Sequence, residues 1–190
     1  MAFANDDDRT ARNLKTAYQN EMTAHACYKA YAARADEEGL LGGGSLFRAM
    51  ARAEQIHASN QARALRQSGG EAKADVAPPR VAGTLENLKE ALKGEKQEFE
   101  VLYPKFSEES LAHMNAMATR AFSLAVDADK SHAELCAGAI ALVESGEAGS
   151  WVSTARAFQV CPMCAFTSAE KVEMNCPVCG YPAERFEAIS

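Results

Sequence analysis

Two stretches of the chain carry the same pattern in the middle of helix-forming sequence: Glu54-Gln-Ile-His57 and Asp129-Lys-Ser-His132. Around the first, FRAMARAEQIHASNQARALR contains no proline and no glycine, so acid and histidine three residues apart share one helix face. The pattern belongs to a larger repeat. NLKTAYQNE (Asn13–Glu21) and NLKEALKGE (Asn87–Glu95) share Asn, Leu, Lys, Ala and Glu at equal spacing. Glu21 precedes Glu54 by 33 residues, and Glu95 precedes Asp129 by 34. Each half is therefore a helix bearing a Glu followed by a helix bearing acid-x-x-His, and two such halves pack as a pseudo-twofold bundle.

Residues 9–145 are rich in strong helix formers. They are punctuated by the glycine-rich EEGLLGGGS (Glu37–Ser45), by the long QSGGEAKADVAPPRVAG (Gln67–Gly83), and by a weaker break at Pro104–Ser110. This predicts four helices near 9–38, 45–67, 84–107 and 110–145. Short, long and short connections in that order give an all-α four-helix bundle with one long crossover.

The apolar seams decide which way the acids point. They run through Leu14, Ala17, Ala24, Tyr28 and Tyr31; Phe47, Met50, Ala64 and Leu65; Leu88, Ala91 and Leu102; and Met114, Ala118, Ala125, Cys136 and Val143. Glu21, then Glu54 and His57, then Glu95 and Glu98, then Asp129 and His132 fall inside these seams. A carboxylate buried without a partner is too costly for a fold to absorb, and no lysine or arginine repeats on the seams. Two divalent cations would offset five carboxylates, and an oxygen and nitrogen ligand set suits iron or manganese. One Glu from each of two helices plus acid-x-x-His from each of the others is the di-iron carboxylate pattern. Any one of these residues alone reads more simply as a solvated or satisfied polar group; the recurrence on four helices favours the metal. Tyr28 and Tyr103 are placed to hydrogen-bond the ligand carboxylates, or simply to pack in the core. His25 and His113 read as surface or core histidines, Cys27 and Cys136 as buried thiols.

After Gly146 the composition changes. ESGEAGS reads as a flexible linker, and Trp151, the only tryptophan, follows it. Cys161, Cys164, Cys176 and Cys179 then form C-P-M-C and C-P-V-C-G, two knuckles that can hold one tetrahedral iron or zinc. About thirty residues around them are too few to fold on a hydrophobic core alone, so they need such a staple. The division is a bundle over 1–146 and a small cysteine-knuckle domain over 147–190.

The net charge of −6 argues against nucleic acid as a main partner. No apolar run is long enough to span a bilayer, and the acidic N-terminus lacks a signal peptide's features. The expected location is cytoplasmic, where thiols stay reduced.

Taken together, the chain resembles the rubrerythrins, ferritin-like di-iron bundles followed by a rubredoxin-like domain with one iron held by four cysteines. The resemblance covers nearly the whole sequence, including Gly94-Glu95 with Glu98, the Tyr-Pro-x-Phe at Tyr103–Phe106, and the terminal C-P-x-C-G. It implies Glu21, Glu54, His57, Glu95, Glu98, Asp129 and His132 as ligands of two irons, and Cys161, Cys164, Cys176 and Cys179 as ligands of a third iron, with zinc the alternative. It further implies hydrogen peroxide as substrate and an external NAD(P)H-linked reductase or rubredoxin as electron donor. It also implies a homodimer in which one chain's tail reaches the other's bundle. Two positions depart from the family: Asp129 stands where the family has Glu, and Ala165 where a rubredoxin usually has glycine. The other readings are a ferroxidase or iron-handling protein with structural zinc in the tail, and a helical scaffold with a zinc ribbon for interactions.

Overall fold

A computed structural model describes residues 6–146 and 154–190. Most of the expected linker, and Trp151 with it, lies outside the described residues. Four rods form the bundle. The first is α1 (Asp6–Glu37) and the second α2 (Leu41–Gln67). The third runs continuously through α3 (Thr84–Gln97), a π-helical segment (Glu98–Leu102) and α4 (Tyr103–Ala112), and the fourth is α5 (Ala116–Ser145).

Two expected boundaries move. The glycine-rich turn is confined to 38–40, where Gly39 takes φ 75° and the Leu40 amide donates to the Ala35 carbonyl at 2.8 Å, a glycine-based helix stop. Gly42, Gly43 and Gly44 belong to α2 and are buried. A methyl at Gly44 would collide with the Asp36 carboxylate, so the glycines allow close approach of α2 to α1 rather than forming a loop. The third rod also outlasts its expected end at 107. Pro104 lies in the first turn after the π segment, where widened hydrogen bonding absorbs its missing N–H. The true break is at 113–115. Met114 takes φ 55° and is 91% exposed, so it is a turn residue and not part of the fourth helix's seam. Asn115 caps α5 by accepting from the Ala118 amide at 3.1 Å, a preferred N-cap role.

The crossover 68–83 has no regular structure. It is held to the bundle by Gln19, whose side chain donates to the Asp75 carbonyl and accepts from the Asp75 amide, each at 2.8 Å.

The tail is a three-stranded antiparallel sheet in the order β2–β1–β3: β1 Phe158–Val160, β2 Thr167–Ser168, β3 Glu187–Ile189. Val160 pairs with Thr167 on one side and Glu187 on the other. The tail is not a free appendage. Phe158, Val160 and Ala165 are fully buried in the same apolar cluster as Phe47, Met50 and Ala128 of the bundle. The Arg52 guanidinium also grips the Glu187 carboxylate with two N–H donors, at 2.6 and 2.8 Å, a fork that matches carboxylate geometry.

Candidate metal centres

The seams deliver their acids to one place at mid-bundle. Glu21, Glu54, Glu95, Asp129 and His132 are fully buried and His57 is 2% exposed. Two groups of donor atoms form, each within 4.8 Å: Glu21, Glu54 and His57; and Glu54, Glu95, Asp129 and His132. Glu54 belongs to both. Its Oε2 lies 3.1 Å from His57 Nδ1 and its Oε1 3.5 Å from His132 Nδ1, one oxygen toward each group. Asp129 Oδ1 lies between the imidazoles, 3.5 Å from His57 Nδ1 and 3.7 Å from His132 Nδ1. Glu98 stands outside both groups. It is partly buried, on the π segment, and its Oε1 accepts from the Tyr103 hydroxyl at 3.3 Å.

The tyrosines act on acids across the bundle. Tyr28 donates to Glu95 Oε1 and Tyr103 to Glu21 Oε1, each at 2.6 Å. Neither pairing could be assigned from sequence, since the partners stand 67 and 82 positions apart. Cys136 is buried, whereas Cys27 is only half-buried.

Each imidazole joins the two halves of the molecule. Its Nδ1 faces the acids, while His57 Nε2 meets the Cys164 carbonyl at 3.2 Å and His132 Nε2 the Ala165 carbonyl at 3.1 Å. A carbonyl can only accept, so Nε2 carries the proton and Nδ1 presents a lone pair to the acid cluster. That tautomer is the one a metal requires. The Thr167 hydroxyl lies 3.2 Å from His132 Nε2 and donates to the Ala165 carbonyl at 2.9 Å. Asn60 donates to the Met163 carbonyl at 2.9 Å. Thr167, Asn60 and the knuckle carbonyls had no signature in the sequence, because backbone acceptors leave none. Gln61, which donates to Glu21 at 2.6 Å, did have one: it sits seven residues beyond Glu54 on the same face.

The electrostatics show what the site lacks. Burial first, then the charge of Glu54, holds the Glu21 carboxyl well above the usual carboxylate range. Burial and the neighbouring acids raise Glu54, Glu98 and Asp129 in the same direction. Burial lowers His57. Burial is the largest influence on His132 and opposes its protonation, but the charge and hydrogen bond of Glu95, the Ala165 carbonyl and the charge of Glu21 together outweigh it and raise the imidazole. Glu21 Oε2, Glu54 Oε1 and both Asp129 oxygens are buried with no hydrogen-bond partner among the described residues. Orphaned buried oxygens gathered around two imidazole nitrogens fit divalent iron in charge and donor type.

In the tail, Cys161 Sγ lies 3.6 Å from Cys179 Sγ and Cys164 Sγ 3.5 Å from Cys176 Sγ, with all four sulfurs in one group. The two knuckles are near copies. The Ala165 amide donates to Cys161 O and the Gly180 amide to Cys176 O, both at 2.9 Å, and both residues are left-handed, φ 69° and 74°. Contact with Cys164 and backbone amides lowers the Cys161 thiol to about 5, while burial pushes Cys179 up to about 11. Contact with Cys161, then burial, raises Cys164 as well, so a metal binding the four sulfurs displaces protons that the metal-free knuckles hold.

Comparison with known proteins settles the family. The rubrerythrin family model matches residues 12–140. The chain belongs to the rubrerythrin family. Rubrerythrin-2 of Clostridium acetobutylicum is 30% identical over 183 residues, covering 95% of this chain and 96% of the relative. Nigerythrin of Nitratidesulfovibrio vulgaris is 31% identical over 180 residues, covering 94% and 86%. The fully reduced, all-ferrous structure of nigerythrin superposes with a TM-score of 0.85 at 30% identity, covering 94% of this chain and 86% of that one. A bacterioferritin from Rhodobacter capsulatus, at 19% identity and a TM-score of 0.67, shares the ferritin-like fold. This rubrerythrin therefore has the family's two centres, a di-iron site in the bundle and a four-cysteine site for iron or zinc in the tail. Its chemistry is that of an oxidoreductase of the peroxidase type. Among the described residues, no helix is long and apolar enough to cross a membrane.

Proposed function

We propose that the chain reduces hydrogen peroxide to water, H2O2 + 2 e− + 2 H+ → 2 H2O. Electrons would enter through the four-cysteine centre from an external NAD(P)H-linked reductase or a rubredoxin. The observation that carries this reading is the pair of imidazoles, each with one ring nitrogen on the acid cluster and the other on a carbonyl of the first knuckle. A storage protein has no use for a second redox centre wired to its first. The proposed ligands are Glu21, Glu54, His57, Glu95, Glu98, Asp129 and His132 for two irons, and Cys161, Cys164, Cys176 and Cys179 for one more.

When bound, the iron pair supplies two electrons and Lewis acidity toward the O–O bond. The rest is the chain's work. Glu54 spans the two donor groups and holds them at a fixed separation. Tyr28 and Tyr103 keep one oxygen of Glu95 and one of Glu21 occupied, so the other oxygen of each is presented. Glu98 is the proposed ligand that stands outside both groups, held on the π segment beside the Tyr103 hydroxyl. The Cys164–His57 and Ala165–His132 contacts supply two short routes from the tail to the bundle.

Residues 1–146 and 147–190 form the two proposed units, working in the cytoplasm as a homodimer. In the single chain the tail already lies against its own bundle, so a dimer could use this contact or its exchanged counterpart. The test is anaerobic. Protein with iron in both centres should be oxidised by peroxide, and its tail chromophore should report electrons leaving the four-sulfur site. Replacing Glu54 and His57 with alanine should reduce peroxide turnover by at least about a thousandfold, as loss of a metal-held nucleus does, while the tail keeps its metal. Turnover left intact would refute the assignment.

A further inference from the structure

The two tyrosines that hold ligand carboxylates keep different company. Tyr103 packs among phenylalanines, with the Phe106 and Phe122 ring centroids 6.4 and 6.0 Å from its own. Tyr28 packs against Phe47 and against a second tyrosine, Tyr31, with centroids 6.1 and 6.2 Å away, distances at which aromatic pairs interact. Tyr31 in turn interacts directly with the Cys27 side chain, four residues earlier on α1 and so its neighbour on the helix surface. Cys27 is half-buried, and with Thr23, Tyr31 and Glu90 it lines a surface groove of about 240 Å³ between α1 and α3. From Glu95 outward, three oxidisable side chains therefore stand in line: Tyr28, whose hydroxyl is on the acid at 2.6 Å, then Tyr31, then Cys27 at the groove. A phenyl ring gives up neither an electron nor a hydrogen atom readily, so among the described residues the ring contacts of Tyr103 offer no such line.

Burial holds the Cys27 thiol above its ordinary range and pushes the Tyr31 phenol up to about 12, so both keep their protons at neutral pH. A protonated thiol is a poor nucleophile toward peroxide, but it remains a donor of hydrogen atoms. The need for such a donor follows from the proposed electron path. Hydrogen peroxide takes two electrons and a four-cysteine iron passes one at a time, so every cycle goes through a half-reduced bundle centre. We infer that Tyr28, Tyr31 and Cys27 form a reserve donor line, which gives the second electron when peroxide arrives at that moment and brings the oxidation out to the groove. Tyr28 gives the electron and passes its proton to Glu95 Oε1 along their hydrogen bond. An electron from Tyr31 restores Tyr28, whose proton returns, while the Tyr31 proton leaves into the groove. A hydrogen atom from Cys27 then restores Tyr31. The net change is H2O2 + e− + H+ + Cys27–SH → 2 H2O + Cys27–S•. At the groove a small thiol, RSH, returns a hydrogen atom to the sulfur, and two RS• radicals pair to RSSR. The inference rests on the peroxide reading proposed above.

The experiment reads where the oxidation comes to rest. Full-length iron-loaded protein, reduced anaerobically until its bundle centre is one electron short, receives an equivalent of peroxide together with the spin trap DMPO. The trapped radical is then located by mass spectrometry. In the wild type the adduct should lie on Cys27, and 2-mercaptoethanol should remove it and be recovered as its disulfide. Tyr31→Phe should lose the Cys27 adduct and strand the radical on Tyr28, seen as a tyrosyl signal by electron paramagnetic resonance. Cys27→Ser should strand it on Tyr31 instead. A Cys27 adduct that persists in Tyr31→Phe, or that forms equally in protein stripped of its bundle metal, would mean that the thiol reacts on its own account, and would overturn the inference. Adducts scattered over other residues would overturn it too. If peroxide fails to oxidise the fully reduced wild-type protein, the proposed function falls first, and the inference with it, before any variant is compared.

Discussion

The bundle centre and the tail centre face the same difficulty, several anionic donors crowded out of water, and they meet it with different parts of the chain. In the tail the donors sit on tight loops, and loops have amides to spare. Backbone N–H groups of Met163 and Cys164 are directed at the Cys161 sulfur, that of Phe166 at Cys164, and that of Tyr181 at Cys179. The acids of the bundle sit mid-helix, where every amide is already committed to the carbonyl one turn back. Only side chains can reach them, and Tyr28, Tyr103 and Gln61 donate to them. That is too little for five carboxylates, and the orphaned oxygens of Glu21, Glu54 and Asp129 show the shortfall. A four-helix bundle can therefore be stable while its metal site is electrostatically unfinished, whereas the knuckle domain is preorganised for its ion and has, besides that ion, its docking on the bundle.

Stripping both centres of metal should separate the two regions most sharply. The tail's interior is largely its own cysteines with Met163, Phe166, Val178, Tyr181 and Phe186 partly buried around them. For small sites of this kind, metal binding is folding free energy of about 10–16 kcal/mol. After chelation, residues 154–190 should become susceptible to protease and exchange their amides within minutes, while helical circular dichroism persists. A tail that stays protected without metal would mean that docking of Phe158 and Val160 into the bundle core, not the ion, holds it.

A smaller effect, opposite in kind, is expected of the metal-free bundle. Glu21, Glu54, Glu98 and Asp129 have carboxyls raised on folding, so the folded state holds protons that the unfolded chain releases. Their contribution is intact below the ordinary carboxylate range and is lost as pH rises through the folded values. His132, also raised, acts in the same sense, and His57, lowered, opposes it. Each tenfold change in a group's acidity on folding is worth about 1.4 kcal/mol, roughly 3 °C in a chain of this size. The metal-free bundle should lose on the order of 5–10 °C between pH 5 and pH 8. Reloading with ferrous iron should flatten or invert the slope, because bound ions favour the ionised acids. A metal-free protein that melts higher at pH 8 would show that the acids find counter-charges other than iron.

How much of this was legible beforehand follows the same division. The repeat placed Glu21, Glu54, His57, Glu95, Asp129 and His132 at mid-bundle because a helix fixes side-chain direction by simple period. Helix ends were less legible. Gly42–Gly44 looked like a loop and serve instead as a close-packing face, and Pro104 looked like a stop where a π segment lets the helix continue. Met114 was misplaced with them, since the register of a seam cannot show where its helix starts. Least legible were the contacts between tail and bundle. They run through carbonyls of Cys164 and Ala165, and any residue type offers a carbonyl. Asp129 was legible as a departure from the family but not in its effect, which depends on where Oδ1 comes to lie between the imidazoles.

The smallest expected effect compares the two knuckles with each other. Ala165 and Gly180 occupy the same left-handed position, yet only Gly180 is the residue that conformation favours. A Cβ costs about 1 kcal/mol there. Ala165 offsets it because its methyl is fully buried in the shared core, and one buried methyl contributes about 0.8 kcal/mol. A Cβ at Gly180 would touch nothing within 4 Å and so gain no burial. Ala165→Gly removes strain, the methyl and some rigidity of the unfolded chain together, the last worth about 0.4–1 kcal/mol. Its net effect on thermal stability should be within about 1 kcal/mol of zero, on the destabilising side. Gly180→Ala gains the unfolded-state term but carries the strain, and should also fall within about 1 kcal/mol. What distinguishes them is location: Ala165→Gly should loosen the tail from the bundle, seen as faster amide exchange at Thr167, while Gly180→Ala should leave that amide unchanged. Equal exchange in both variants would mean that the Ala165 methyl does not fasten the tail, and that the first knuckle keeps an alanine for some reason other than its packing.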